Sequence, residues 1–478
     1  MGLTIVQLLT NKKLRRRIKS MDYTGIEPRR RGRYFKEPWE EQYKKKLIKA
    51  EEAVKFVQDN DSLSVTGYAG FPHAFDLALG NRLIAENLHI KIFAAFFLCQ
   101  AQLIRPEMKE HVLLYNHFFG PERSIAKNGN LDFVSAHLGQ TGQVITSSKP
   151  RITVIGCSPP NEDGWMSRSL LAHHTTREQF EAPNVEILII EINKQLPFCK
   201  SAGEHHTLLH VSEADYIIES DIPYAEIKTP AATEEEIKIG NYVSEIVRDG
   251  DCLQVGIGGL ADVITENLKN SGVKDLGSHT ELMTTGLAKL TNLGIINNSR
   301  KTLFKGKNVV TAFFGDKELW EYAKKDDNYL LLEADYVNDP RVICQNDNML
   351  SINNCLDIDL MGQVNSETVG FKQFSGTGGQ LQFVVGSQWS KGGRSVIALN
   401  STYKDKEGEL KSKIMLTLAP GSAVTTPRHC VNYIVTEFGI VDLKFKTLRE
   451  RAKLLISIAH PQFRDELTFQ AKKCGYLF

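Results

Sequence analysis

A glutamate preceded by Ser278-His279-Thr280 is set between two glycine-rich stretches. Glu281 lies in Leu276-Gly277-Ser278-His279-Thr280-Glu281-Leu282-Met283. Gly256-Ile257-Gly258-Gly259 precedes it and Ser375-Gly376-Thr377-Gly378-Gly379-Gln380 follows much later. A carboxylate can act as a covalent nucleophile toward an acyl carbon. The oxyanion formed then needs N–H donors, and backbone without Cβ atoms can bring them close. Three glycines within residues 376–379 are costly to order unless the backbone itself is used. The earlier loop is the weaker signal. It is not a full G-x-G-x-x-G and no dinucleotide fingerprint follows, so that stretch also fits an ordinary strand-to-helix turn. His279, the His173-His174 pair and Glu204-His205-His206 offer metal-ligand types. None has the i, i+4 spacing of a helical zinc site, so no metal is expected.

These loops need strands to carry them. Short, continuously apolar runs at 62–65, 90–96, 152–157, 185–192, 309–314, 396–399 and 433–435 predict strands buried on both faces, as in parallel sheets covered by helices. Helices are expected over 43–58, 447–458 and 461–473, with Thr447 and Glu450 forming a capping box. A repeat is visible: Asp59, Asp61, Leu63 and Val65 match Asp249, Asp251, Leu253 and Val255 at constant offset, each set running into a glycine loop. Two related α/β domains are expected, 41–228 and 236–478, after a basic extension over 1–40. The polar, proline-containing stretch 228–236 forms the boundary.

The 478 residues carry a net charge of +1, with 42% hydrophobic and 24% charged residues, a composition with no bias toward nucleic acid or an anionic membrane. No apolar run is long enough to span a bilayer. The eight cysteines lack a C-x-x-C pair and read as reduced thiols of a cytoplasmic protein. Lys12, Lys13, Arg15, Arg16, Arg17, Lys19, Arg29, Arg30, Arg31 and Arg33 leave three readings of the N-terminus open: a basic arm or oligomer contact, a mitochondrial transit segment that would direct the chain to the matrix, or a phosphate or nucleic-acid contact.

Taken together, the motifs resemble the acetyl-CoA hydrolase/transferase family, near its 4-hydroxybutyrate and butyryl-CoA:acetate CoA-transferases. The resemblance rests on Gly67-Tyr68-Ala69-Gly70-Phe71-Pro72, Ser158-Pro159-Pro160-Asn161-Glu162-Asp163-Gly164, the stretch around Glu281, Tyr336-Val337-Asn338-Asp339-Pro340, the 375–380 loop and Val435-Thr436-Glu437-Phe438-Gly439. It implies two similar α/β domains with the active site in the cleft between them, and Glu281 as nucleophile of a ping-pong CoA transfer through a glutamyl-CoA thioester. Coenzyme A is then a substrate and no cofactor is expected. The partners are an acyl-CoA and a small carboxylic acid, in a homo-oligomer, expected to be a dimer. The resemblance places Gly376, Gly378 and Gly379 at the oxyanion, Gly258 and Gly259 on the CoA side, Asn338 on the substrate carboxylate and Glu437 in the cleft. An ordinary carboxylate pKa near ~4.3 would leave Glu281 ionised at neutral pH.

The chain departs from the family pattern at Gln382, where relatives carry an aspartate. That opens the choice of acid, with acetate, butyrate, 4-hydroxybutyrate, succinate and itaconate all compatible. An acyl-CoA hydrolase would use the same residues, and a non-catalytic CoA-binding protein of the same fold is the reading from another class.

Overall fold

The structure, a computed structural model, describes residues 37–94, 97, 101–172, 176–224, 226–227 and 230–478. The basic N-terminal cluster, Cys99, the His173-His174 pair and Lys228 lie outside the described residues. Of the described cysteines, Cys157, Cys199, Cys252, Cys355 and Cys430 are buried, Cys344 is intermediate and Cys474 exposed, all as free thiols.

Two sheets organise the chain. The first has seven parallel strands in the order Leu131–Phe133, Val112–Asn116, Ile90–Phe93, Asp61–Val65, Ile152–Cys157, Ile187–Asn193 and Tyr216–Ser220. Its apolar strands lack polar alternation because both faces are covered. Ile152 and Val154 pack into one core, while Ile155 and Cys157 point the other way into a second. The second sheet runs Gly277–Ser278, Cys252–Val255, Met349–Asn354, Arg394–Ala398, Tyr433–Thr436 and Gly439–Asp442. Only its last pair is antiparallel. The carboxyl ends of its five parallel strands therefore lie along one edge, where open α/β sheets bind ligands.

The sequence repeat is also a repeat of contacts. Asn60 and Gly250 both take left-handed backbone, with φ of 64° and 79°. Asp59 accepts the His89 N–H at 2.7 Å, and Asp249 accepts that of Lys274 at 3.0 Å. Asp61 accepts the Gln58 N–H at 2.7 Å and pairs with Arg151 at 2.5 Å. Asp251 accepts the Arg248 N–H at 2.8 Å and pairs with Arg394 at 2.5 Å. In each copy the two aspartates tie the strand to its neighbours through the same backbone groups.

Two expected elements differ. The helix over 43–58 is interrupted: Trp39–Lys46 and Ala50–Ala53 are helical, but Leu47 is extended. It bridges to Ile217, whose carbonyl accepts the Ile48 N–H at 2.9 Å. A tertiary strand contact overrides the helical periodicity there. The strand over 309–314 splits into Asn308–Val310, paired with Tyr329–Leu331, and Ala312–Phe313, paired with Leu282–Met283. The C-terminal helices match, with Leu448–Ser457 capped by Thr447 and Glu450, followed by Pro461–Lys473. Among the described residues no helix is long and apolar enough to cross a membrane.

Asp251 and Arg394 are both nearly inaccessible. Asp251→Ala leaves a buried guanidinium without its acid and is expected to cost about 3–5 kcal/mol. Thr447→Ala removes only a surface cap and is expected to cost about 1 kcal/mol. Urea unfolding followed by circular dichroism checks both the sizes and the order.

Candidate functional site

Glu281 follows the edge strand of the second sheet, and its main chain is held on both sides. The Thr280 N–H donates to the Val309 carbonyl at 2.9 Å, and the Glu281 carbonyl accepts the Thr311 and Ala312 N–H groups at 3.0 and 3.1 Å. The break in the 309–314 strand thus lies at the Glu281 carbonyl.

The side chains of this segment grip a short helical turn, Ala334–Val337. His279 is fully buried, and burial, reinforced by the nearby Lys301 charge, pushes it down to about 3. It is therefore neutral, and its Nε2, 2.8 Å from the Val337 carbonyl, must carry the proton to donate there. Asn338, at the end of the turn, donates from Nδ2 to Glu281 Oε2 at 2.8 Å. The Asn-Asp-Pro sequence also makes a turn, since Asp339 accepts the Arg341 N–H at 2.8 Å and starts the helix Pro340–Ile343. Asn338 thus holds the Glu281 carboxylate, where the resemblance implied a contact to the substrate.

Partial burial pushes the Glu281 carboxyl up to about 7, against the opposing hydrogen bond from Asn338. The ordinary value assumed from sequence does not hold, because the low-polarity surroundings disfavour the charge. Lys301, not singled out in the sequence, lies beneath this strand. Its ammonium donates to the Ser278 and Lys307 carbonyls, both at 2.8 Å, and burial pushes it down to about 8.

The 375–379 loop closes over the carboxylate. A Cβ added at Gly379 would overlap Glu281 Oε2 and Asn338 Nδ2, so the glycine leaves the room that this pair fills. Gly379 also caps the helix Gln380–Trp389. The positive end of that helix lies beside the carboxylate and suits developing negative charge. Among the described residues the N–H groups of Gly378 and Gly379 have no hydrogen-bond partner. Gly378, at φ 56°, turns its carbonyl to accept the Leu138 N–H at 3.0 Å. Gly376 lies against the His117 carbonyl and Phe118, which leave no space for a side chain.

The remaining sequence candidates are placed differently. Gln382 accepts the Gly139 N–H at 3.0 Å, joining the second sheet's helix to the first half of the chain. Both oxygens of Glu437 are engaged by Ser401, from its N–H at 2.9 Å and its hydroxyl at 2.5 Å. Gly259 packs under Ala232 and Glu236, whereas Gly258, at φ 112°, faces open space. Among the described residues no hydrogen bond joins Gln382, Glu437, Gly258 or Gly259 to Glu281.

A cavity of about 480 Å³ opens between the 137–143 segment and the 335–341 and 381–385 segments, within the size range of ligand sites. Glu281 is not among its lining residues. One group of metal-ligand types comes together in space: His205, Glu333 and Asp335, with atoms within 4.8 Å of one another. Sequence spacing could not show it, because the carboxylates come from the other half of the chain. Glu333 is engaged by the Arg168 guanidinium, and His205 stacks on Tyr336 at 4.0 Å between ring centres.

Comparison with known proteins gives two family models along the chain: the acetyl-CoA hydrolase/transferase N-terminal domain matches residues 29–226 and the C-terminal domain residues 315–471. The 4-hydroxybutyrate coenzyme A transferase of Clostridium kluyveri is 36% identical, over 91% of this chain and 99% of its own length. The succinyl-CoA:cyclohexane-1-carboxylate CoA transferase of Geobacter metallireducens is 38% identical, over 92% and 98%. Among solved structures, RipA from Yersinia pestis superposes with a TM-score of 0.83 at 34% identity, covering 92% of this chain and 99% of that one.

The raised Glu281 pKa has a stability consequence. From an unfolded value of 4.5 to a folded value of about 7, the folded protein binds the proton more tightly than the unfolded chain does. Stability is therefore lost as pH rises across that window. Glu281→Gln is expected to be more stable than the parent above about pH 7, with the gap closing below pH 4.5. Thermal unfolding at a series of pH values measures it.

Proposed function

The chain belongs to the acetyl-CoA hydrolase/transferase family and is a CoA-transferase, and we propose that it moves CoA from a short-chain acyl-CoA to a free carboxylic acid through a covalent thioester on Glu281. The observation that carries this reading is the packing of the Glu281 carboxylate, held by Asn338, into the space that the absent side chain of Gly379 leaves.

A Glu281 carboxylate oxygen attacks the thioester carbonyl carbon. The tetrahedral oxyanion collapses with cleavage of the carbon–sulfur bond, giving a mixed anhydride and CoA thiolate. The thiolate attacks the glutamyl carbonyl, the carbon–oxygen bond to the acyl group breaks, and the first acid leaves as its carboxylate. A second carboxylate runs the same steps in reverse and departs as the new acyl-CoA. No net proton is needed and the thioester energy is retained. Each tetrahedral stage places negative charge near the Gly378 and Gly379 N–H groups, and one such donor contributes on the order of 3 kcal/mol. With its pKa near 7, Glu281 is a stronger nucleophile once ionised than an ordinary glutamate, and the Asn338 amide keeps the attacking oxygen oriented.

The repeat of contacts supports dividing the chain into halves at 41–228 and 236–478. The contacts of the 375–379 loop with His117, Phe118 and Leu138 support a reaction cleft between them. The relatives named above are named for 4-hydroxybutyrate and for succinyl-CoA with cyclohexane-1-carboxylate, so the acid is sought among small mono- and dicarboxylates.

Borohydride added in the presence of acyl-CoA should reduce a glutamyl-CoA thioester at Glu281 to the alcohol, read by peptide mass. Glu281→Gln should lose this product and transfer together, and retention of transfer near the parent rate would defeat the mechanism. A carboxylate co-substrate should raise CoA exchange far above hydrolysis, whereas a hydrolase would ignore it. Gly379→Ala should keep the fold and lose about 100-fold in kcat, because its methyl group displaces the nucleophile by on the order of 1 Å.

A further inference from the structure

We infer that Arg168 is a positioning residue for the nucleophile, acting from the first half of the chain through Glu333 and the turn that ends at Asn338. This rests on the reading of Glu281 as the covalent centre. Arg168 follows the strand Trp165–Ser167, which pairs antiparallel with Leu208–His210. Its side chain is inaccessible. The guanidinium is fixed in plane and direction, with Nε donating to the Thr207 carbonyl at 3.0 Å and Nη2 to the His206 carbonyl at 3.2 Å. Nη2 also donates to Glu333 Oε1 at 2.5 Å. The Glu333 N–H is docked on the same segment, donating to the His205 carbonyl at 3.1 Å.

From Glu333 the link to the nucleophile is short and stiff. The Glu333 carbonyl accepts the Val337 N–H at 3.0 Å, and the Ala334 carbonyl accepts the Asn338 N–H at 3.0 Å. Both residues therefore belong to one turn, and the last side chain of that turn holds Glu281. Besides the Glu333 N–H on the His205 carbonyl and the stacking of Tyr336 on the His205 ring, two side chains fasten the ends of the turn: His279 on the Val337 carbonyl and Arg168 on Glu333. Loss of the Arg168 contact loosens the Glu333 end of the turn and lets the Asn338 amide shift off the carboxylate.

The energetics favour a geometric role for the pair. A fully buried ion pair pays heavily for desolvation, and well-packed apolar residues of similar volume often match its stability. What they cannot supply is direction: a guanidinium held by two carbonyls fixes where the third partner lies. The pair also joins the halves of the chain, so the docking of the first half sets the position of the amide that orients the nucleophile.

The test measures kcat, KM for acyl-CoA and borohydride-trapped glutamyl-CoA in the full chain for Arg168→Met, Glu333→Gln, the apolar pair Arg168→Met/Glu333→Leu, Asn338→Ala, and Arg168→Met/Asn338→Ala. The apolar pair is expected to fold by circular dichroism, to lose on the order of 100-fold in kcat and to change KM less than about threefold, as a misplacement near 1 Å would. On the Asn338→Ala background the Arg168 change should cost little more, because the amide it positions is already gone. Equal losses with and without Asn338, a loss confined to KM, or an apolar pair as active as the parent would each overturn the inference. If Arg168→Met or the apolar pair fails to fold, the near-isosteric Glu333→Gln, alone and with Asn338→Ala, decides on the same criteria. Glu281→Gln run alongside separates the two claims: residual transfer there defeats the mechanism, whereas additivity at Arg168 with an inactive Glu281→Gln defeats only the positioning role.

Discussion

The hydrogen bond from Asn338 to Glu281 is the contact around which the other site features are arranged. It requires a strand and a turn, far apart in sequence, to meet within a few tenths of an ångström. The main chain around Glu281 is fastened to the 308–313 strand segments, and His279 reaches back to the turn that carries Asn338. Gly379 then gives up its side chain so that the joined pair has somewhere to lie. None of these contacts would place a carboxylate usefully without the others.

The same arrangement sets the chemistry. Packing that brings Gly379 against the carboxylate also removes water from it, which raises its pKa to about 7. A fully solvated glutamate would be ionised over a wider pH range and would be a poorer nucleophile. The Asn338 amide and the end of the 380–389 helix temper that burial, since both favour the charged form. Reactivity near neutral pH is therefore a balance between exclusion of water and a few aimed dipoles.

Much of this was legible in the sequence because it is local. Continuous apolar runs mark strands covered on both faces, Thr447 and Glu450 mark a helix start, and the spacing of Asp59 and Asp61 against Asp249 and Asp251 marks a repeated unit. Glycine loops beside an acid marked the region of the site. What stayed hidden depends on distant partners. Leu47 breaks its helix for Ile217. Glu333 and Asp335 find His205 from the far half of the chain. Asn338 turns to Glu281, which no spacing rule connects to it. Gln382 reads in the sequence as a change of charge, but its amide oxygen holds the Gly139 N–H.

The junction between Leu138 and Gly378 is a bond between peptide groups, and the neighbouring one uses the Gly139 N–H. Any residue other than proline supplies the Leu138 amide, whereas a Cβ at Gly139 would press on the Gln382 amide that it bonds. Side chains at His137, Gln140 and Gln143 can therefore drift under selection while the two halves keep their spacing. Because those residues line the adjoining cavity, its shape and polarity can be retuned without disturbing the register of the nucleophile. The main chain conserves the distance, and the side chains are left to diversify.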